Sequence, residues 1–221
     1  YDFVNTNSDL TQHNLTTVGL LPKYKLSDKL SLAGSAYLQW GEFVNNNSVG
    51  AASAAYLLNL DATYKADGKS VTLGFDMVSG DNGSSTKVTN AFNPMFGTHH
   101  KFYGLMDFFY VGDANAGGLT NIYLKGVMKA SDKLTLVAQL HEFLVQRDFT
   151  NAKNGASFQA GDAFGTELDL VAKYKVGAGF GLVAGYSQLF SAPALEKGRY
   201  GISASSKNFN NWMWLQANVT F

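Results

Sequence analysis

The sequence predicts an all-β protein, an antiparallel β-barrel that crosses a membrane, and three observations carry that prediction. The 221-residue chain repeats segments in which apolar and polar residues alternate, tight turns alternate with long polar loops between them, and an amphipathic last strand ends on an aromatic, Phe221. No apolar run approaches the roughly 20 residues a transmembrane helix needs. Strands of about 12 residues also exceed the five or six typical of soluble sheets, which argues against a two-layer sandwich.

Composition narrows the function classes. Seventeen Lys and Arg balance seventeen Asp and Glu, so nothing draws the chain to nucleic acid. Cysteine is absent, which removes disulfides and thiolate metal sites. The mean hydropathy of -0.08 is what results when a wet face cancels a lipid-facing one.

Taken in order, Leu15 to Leu26 places Val18, Leu20, Pro22, Tyr24 and Leu26 on one parity, with Pro22 forecasting an irregularity because it lacks an N–H. After the Ser27-Asp28-Lys29 turn, Leu30 to about Phe43 alternates Leu30, Leu32, Ala36, Leu38 and Trp40 against Ser31, Ser35, Tyr37 and Gln39. Beyond the Asn45 to Ser48 loop, Tyr56, Leu58, Leu60, Ala62 and Tyr64 oppose Asn59, Asp61, Thr63 and Lys65. Asp67-Gly68 then favours a type I′ hairpin. Val71, Leu73, Phe75 and Met77 form the next apolar row, and Ser79 to about Gly118 is a long connection.

Thr120 to Ala130 carries Ile122, Leu124 and Met128 against Asn121, Tyr123, Lys125 and Lys129, and Ser131-Asp132-Lys133 repeats the first turn. The strand from Leu134 to about Arg147 follows, then a polar loop, then Leu168, Leu170, Ala172 and Tyr174 against Glu167, Asp169, Lys173 and Lys175. Gly177-Ala178-Gly179 turns into Phe180, Leu182, Ala184, Tyr186 and Phe190, and a loop from Ser191 to Asn210 enters the last strand. Tyr24, Tyr64 and Tyr174 beside the tight turns read as the aromatic girdle of the periplasmic rim.

Direction follows from parity. The last strand runs toward the short-turn side and so does the first, whereas a complete bacterial barrel has an even strand count. Tyr1-Asp2-Phe3-Val4-Asn5 therefore reads as the top of one more, upward strand. The chain, with about nine to ten strands, reads as the C-terminal part of a larger barrel, a self-contained ten-strand barrel requiring that first strand to extend upstream of Tyr1. Residues 1–221 are expected to form a single barrel domain whose loop 79–118 folds inward.

That loop carries Gly97-Thr98-His99-His100-Lys101-Phe102-Tyr103-Gly104-Leu105-Met106-Asp107, too aromatic for a passive connection. Together with Leu119-Thr120-Asn121-Ile122-Tyr123-Leu124-Lys125, Gly165-Thr166-Glu167-Leu168-Asp169-Leu170, Ala184-Gly185-Tyr186-Ser187 and Asn211-Trp212-Met213-Trp214, it resembles the alginate-export family of outer-membrane barrels. The resemblance covers nearly the whole chain but only the C-terminal half of the family fold. It implies an eighteen-stranded barrel with a pore, located in the outer membrane of a Gram-negative bacterium. It does not imply alginate as cargo. A polyanion exporter should line its pore with Arg and Lys, whereas the expected lumen face mixes Asp61, Asp76, Glu167 and Asp169 with Lys65, Lys125, Lys173, Arg147 and His141.

His99, His100 and Asp107 invite a metal or hydrolase reading, but adjacent histidines on an extended segment point oppositely and no ligand spacing is present. No spacing singles out a catalytic Ser/His or Asp/His group either, so no enzyme, cofactor or metal is expected. His99, His100, Lys101, Tyr103 and Asp107 are expected instead to form a constriction loop. Trp212 and Trp214 lie on the polar parity, where they face either the lumen or the upper girdle. The expected function is a porin-like channel for passive diffusion or export of small polar or saccharide solutes; the alternative is a non-transporting structural or accessory subunit of an envelope complex. The expected partners are the lipid bilayer, small polar solutes, the barrel-assembly machinery through the strand ending at Phe221 and, under the alternative, other envelope proteins. Nucleic acid is not among them.

The facing assignment is testable. Placed at the midplane, Leu136→Arg is expected to cost about 2–4 kcal/mol and Thr135→Arg much less, measured by reversible unfolding in bilayers; the reverse order refutes the register.

Overall fold

A computed structural model of the protein describes residues 2–6, 9–45, 48–82, 88–94, 102–109, 117–150, 155–200 and 209–220. The strands are β1 (Asp2–Thr6), β2 (Asp9–His13), β3 (Leu15–Leu20), β4 (Lys23–Lys25), β5 (Leu30–Asn45), β6 (Ser48–Ala66), β7 (Lys69–Val78) and β8 (Val88–Thr89). They continue with β9 (Leu119–Lys129), β10 (Leu134–Val145), β11 (Phe149–Thr150), β12 (Ser157–Phe158), β13 (Ala163–Gly177) and β14 (Phe180–Ser191). One helix, α1 (Pro193–Tyr200), precedes the last strand, β15 (Phe209–Val219).

Eleven strands form one sheet in the order β15-β14-β13-β10-β9-β7-β6-β5-β3, with β4 also on β5 and β8 on β6. All pairings are antiparallel except that of β8. The sheet is open, with β15 at one edge and β3 and β4 at the other. The strand expected over Leu15 to Leu26 is split at Pro22, but β3 and β4 share one unbroken register on β5, and the Pro22 carbonyl accepts from Gly34 N at 3.0 Å. Asp2 onward forms a strand, but β1 pairs with β2 in a separate two-stranded sheet and not in the main one; Tyr1 and Phe221 lie outside the described residues.

The turns hold as their sequences require. Ser27 and Ser131 play the same part: each hydroxyl accepts from the next two free N–H groups, those of Lys29 and Leu30 and those of Lys133 and Leu134. Asp67 and Gly68 both have positive φ, 49° and 73°, the type I′ geometry. The opposite ends of the strands are joined by the long connections, apart from the close hairpin in which Asn45 faces Ser48. The helix α1 was not foreseen. Its signal is local, with Pro193 in the first turn and Glu196 accepting from the Ser191 hydroxyl at 3.1 Å.

The two faces of the sheet are inverted relative to a water-soluble protein. Leu20, Leu38, Leu60, Leu73, Leu124, Leu140, Met213 and Leu215 are exposed, Leu215 at 75%, whereas Asn121, Glu167, Asp169 and Ser187 are at 0%. Every apolar row read from the sequence lies on the exposed face. A contiguous apolar surface of this extent is what a lipid-facing wall presents. The buried apolar residues gather instead on the polar side toward the long connections, where Phe109 packs on Phe143 and Phe164 with ring centroids 4.4 and 5.4 Å apart.

On the polar face three rings lie flat on glycines in the neighbouring strand: Tyr37 over Gly19, Tyr123 over Gly74 and Trp214 over Gly185, each a cross-strand pair. A Cβ at Gly74 would stand 2.1 Å from the Tyr123 ring, whereas one at Gly126 has nothing nearer than 3.9 Å. Gly74→Ala is therefore expected to destabilise by about 1–3 kcal/mol and Gly126→Ala by well under that, compared by urea unfolding in vesicles.

Candidate functional site

The polar face is built by register. Because neighbouring strands keep one register through the row, with shifts only beyond it at Phe143/Leu144 and Lys175/Gly177, residues of one parity come to stand side by side on β6, β7, β9, β10, β13 and β14 and bond across the strands. Ser187 donates to Asp169 Oδ1, and Asp169 Oδ2 faces His141 Nε2 at 3.7 Å. His141 Nδ1 bonds Asn121 Oδ1 at 3.0 Å, Asn121 Nδ2 donates to Asp76 Oδ2 at 2.7 Å, and Asn59 Nδ2 donates to Asp76 Oδ1 at 2.8 Å. The Tyr123 hydroxyl donates to Asp61, closing the row on β6. Tyr123, His141 and Phe143 stack along it, with centroids 5.3 and 5.5 Å apart.

The long connection lies against this row; besides β8 on β6 and the contacts of Gly80 and Gly117 with the end of β10, it is attached at three further places. Gln39, 2% exposed, grips the backbone of Asn93 with both ends of its amide, donating to the carbonyl at 2.7 Å and accepting from N at 2.8 Å. The Ser79 hydroxyl donates to Asn90 O at 2.7 Å and accepts from Tyr56 N at 2.8 Å. Glu167 Oε1 accepts from Leu105 N at 2.7 Å and Met106 N at 2.9 Å. Tyr103, Gly104 and Asp107 take positive φ of 58°, 81° and 56°, which folds the backbone around that carboxyl group. Burial, aided by the nearby Asp76, pushes the Tyr103 phenol above its ordinary range.

Of the residues expected on the lumen face, Asp61, Asp76, His141, Glu167 and Asp169 meet in this row or beside it. Lys125 stands next to it, paired in register with Gln139. Lys65 and Lys173 share the face but lie farther toward the tight turns, where Lys129 and Lys175 join them. Arg147 differs from its expected place: it lies beyond the end of β10, donating to Gly80 O at 3.3 Å, and its own N bonds Gly117 O. The strand stops short because those backbone groups of the long connection take over its ladder. Of the expected constriction loop, Tyr103 and Asp107 lie in the segment that covers the wall, while His99, His100 and Lys101 lie outside the described residues.

Sequence reasoning missed the neutral partners Gln39, Asn59, Ser79, Asn121, Ser187 and Gln188. For Gln39, Asn59, Asn121 and Ser187 the only signal is polar parity on long strands, which many solvated residues share; Gln188 and Ser79 fall on the apolar parity, Ser79 just past the end of β7. Trp214 lies over Gly185 and Trp212 faces Ser187, so both indoles are on the polar face, 6.2 Å apart.

Ser187, Asp169 and His141 have the composition of a hydrolase triad but not its connectivity. Asp169 touches both others and Ser187 gives its proton to the carboxylate, leaving no imidazole to activate the hydroxyl. All three are buried. Among the described residues no group of three or more His, Asp or Glu is arranged to hold a metal ion. What the arrangement does chemically is hold a segment of chain against a polar wall.

Asn121 connects two otherwise separate groups, so Asn121→Leu, which fills the space without bonding, is expected to destabilise by about 1–3 kcal/mol. Asn218→Leu, at an exposed position, should change stability far less; both are read as shifts in unfolding midpoint.

A family model described as alginate export matches residues 6–204. No curated protein matches significantly. Among solved structures the chain is similar to the NanC porin, at 12% identity over 94% of this chain and 80% of that one, with a TM-score of 0.49. It is also similar to an outer membrane channel from Pseudomonas putida F1, at 14% identity over 81% of this chain and 61% of that one, with a TM-score of 0.48. Outer-membrane expressed OmpT of Vibrio cholerae matches at 12% identity over 94% and 56%, with a TM-score of 0.46. The chain thus spans less than two thirds of the last two.

Proposed function

The chain belongs to the alginate export family and is a channel-like protein of the Gram-negative outer membrane, and on that premise we propose that it conducts small polar or saccharide solutes through a pore narrowed by its own long loop. The carrying observation is the seating of residues 102–109 on the polar wall through Glu167, with Tyr103 and Phe109 buried beneath. A loop held against the lumen side sets the bore, and size and charge filtering need no covalent step. Residues 1–221 act as one barrel domain within a ring of eighteen strands, with the loop 79–118 inside it. Asp61, Asp76, Lys125, His141, Glu167, Asp169, Lys65 and Lys173 line the lumen. Assembly proceeds by recognition of the β15 strand that leads to Phe221.

Charge distribution supports a route for polar solutes and gives it an axis. On β6, β9 and β13 the lysines lie nearer the tight turns than the acidic, amide or aromatic members of the row: Lys65 beyond Asp61, Lys125 and Lys129 beyond Asn121, Lys173 and Lys175 beyond Asp169. Lys23 and Lys25 of β4 extend the set. A basic mouth concentrates anionic solutes and releases them past a mixed-charge zone. The second reading, a non-transporting barrel in an envelope complex, draws on the complete burial of Glu167, Asp169 and Ser187 under the loop.

Single-channel recording on the full-length protein in planar bilayers separates the two. Discrete conductance steps are expected, enlarged when residues 102–109 are deleted, with faster swelling of sugar-loaded liposomes. Silence from both the wild type and the deletion, with the barrel folded, would leave the scaffold reading.

A further inference from the structure

We propose that Glu167 is the positioning residue of the pore: its buried carboxyl group is the latch that holds the loop on the wall, and the loop leaves the wall when that acceptor is lost. This rests on the channel reading for its consequence but not for its geometry.

Three features converge on the one side chain. Two successive backbone N–H groups, those of Leu105 and Met106, point at the same oxygen, Oε1, the concave arrangement by which turns seat anions. Gly104 lies so close that a Cβ there would stand 2.4 Å from that oxygen, and its φ of +81° suits glycine. Glu167 itself is at 0% exposure, so no water replaces the loop as donor while the loop is seated. The other attachments of the connection, at Gln39, Ser79, β8 and Arg147, fall on residues 79–93 and 117, outside 102–109. Within 102–109, Phe109 on Phe143 and Phe164, and buried Tyr103, add an apolar hold.

Such a division of labour makes the polar contact the one that sets position. Apolar packing is non-directional, whereas two hydrogen bonds to one oxygen fix where the segment sits across the bore.

The test uses the absence of native cysteine. Met106→Cys supplies a single thiol whose backbone N–H still reaches Glu167, and its labelling rate by a membrane-impermeant maleimide reports how often the segment lifts. In full-length protein reconstituted in vesicles, adding Glu167→Leu, apolar and without an acceptor, is expected to raise that rate about tenfold or more. Glu167→Gln, which keeps an acceptor oxygen in place, should fall between the two. Gly104→Ala attacks the same contact from the loop side and should also speed labelling; it carries the test if the Leu variant fails to fold. Glu142→Gln, a carboxylate that accepts from Thr166 on the same strand pair and does not touch the loop, should leave the rate unchanged.

Wild-type labelling in folded Glu167→Leu and Gly104→Ala would overturn the latch. Bilayer recording separates this from the channel reading. Faster labelling together with larger conductance supports both, and faster labelling in a protein that never conducts keeps the latch and removes the channel. Unchanged labelling in a protein that conducts removes the latch alone.

Discussion

The constraint on which everything else depends is that a strand facing hydrocarbon has no water to bond its backbone, so each polar group must find a partner in the neighbouring strand. This forces long strands in strict antiparallel register, and strict register in turn fixes which side chains share a face. The apolar rows of β5, β6, β7, β9, β10, β13, β14 and β15 are exposed because the medium outside is lipid. The opposite parity must then carry the polar residues, and they are brought together whether or not they lie near in sequence.

A polar wall creates a second requirement. Once the long connection covers part of it, side chains such as Asn121 and Asp169 are removed from water and must bond one another, because an unpaired buried polar group costs more than a made bond returns. The row from Ser187 to Asn59 answers this with two hydrogen-bonded groups, Ser187 with Asp169 and His141 through Asn121 and Asp76 to Asn59, which face each other at 3.7 Å, each member supplied by a different strand. Glycine and aromatic neighbours solve the steric side of the same problem. A ring laid along the wall over a glycine fills the gap the glycine leaves without projecting across the lumen. The site is thus a by-product of closing a polar surface with a segment of the same chain.

What could be read in the sequence divides along the same line. Strand existence, direction, the turn types and the lipid-facing rows were legible because alternation and turn chemistry are local: Asp67-Gly68 announces its hairpin, and the Ser-Asp-Lys pair of turns repeats one geometry. The acidic members of the site were legible as charges on the wet parity. Their neutral partners were not, since Asn121 bonding both His141 and Asp76 depends on the pairing of β7 with β9 and of β9 with β10, which no single segment encodes. That β10 ends before Arg147 was not legible, because its end is met by the carbonyl groups of Gly80 and Gly117, far away in the chain. The helix α1 hid inside a loop because eight residues give too little periodicity to stand out. The role of Glu167 could be guessed as lumen-facing but not as the residue that receives the loop, because its partners are backbone groups without a sequence signature.

The hairpin of β5 and β6 has a consequence of a different kind. At 16 and 19 residues these strands run roughly 50–60 Å along their length, and even at a tilt of about 40° they rise some 15 Å past an apolar band of about 25 Å. The parallel strand β8 braces them there, Val88 and Thr89 lying beside Ala51 and Ala52. The surplus length projects on the far side from the tight turns, and over its described residues it is built of sheet rather than of loop.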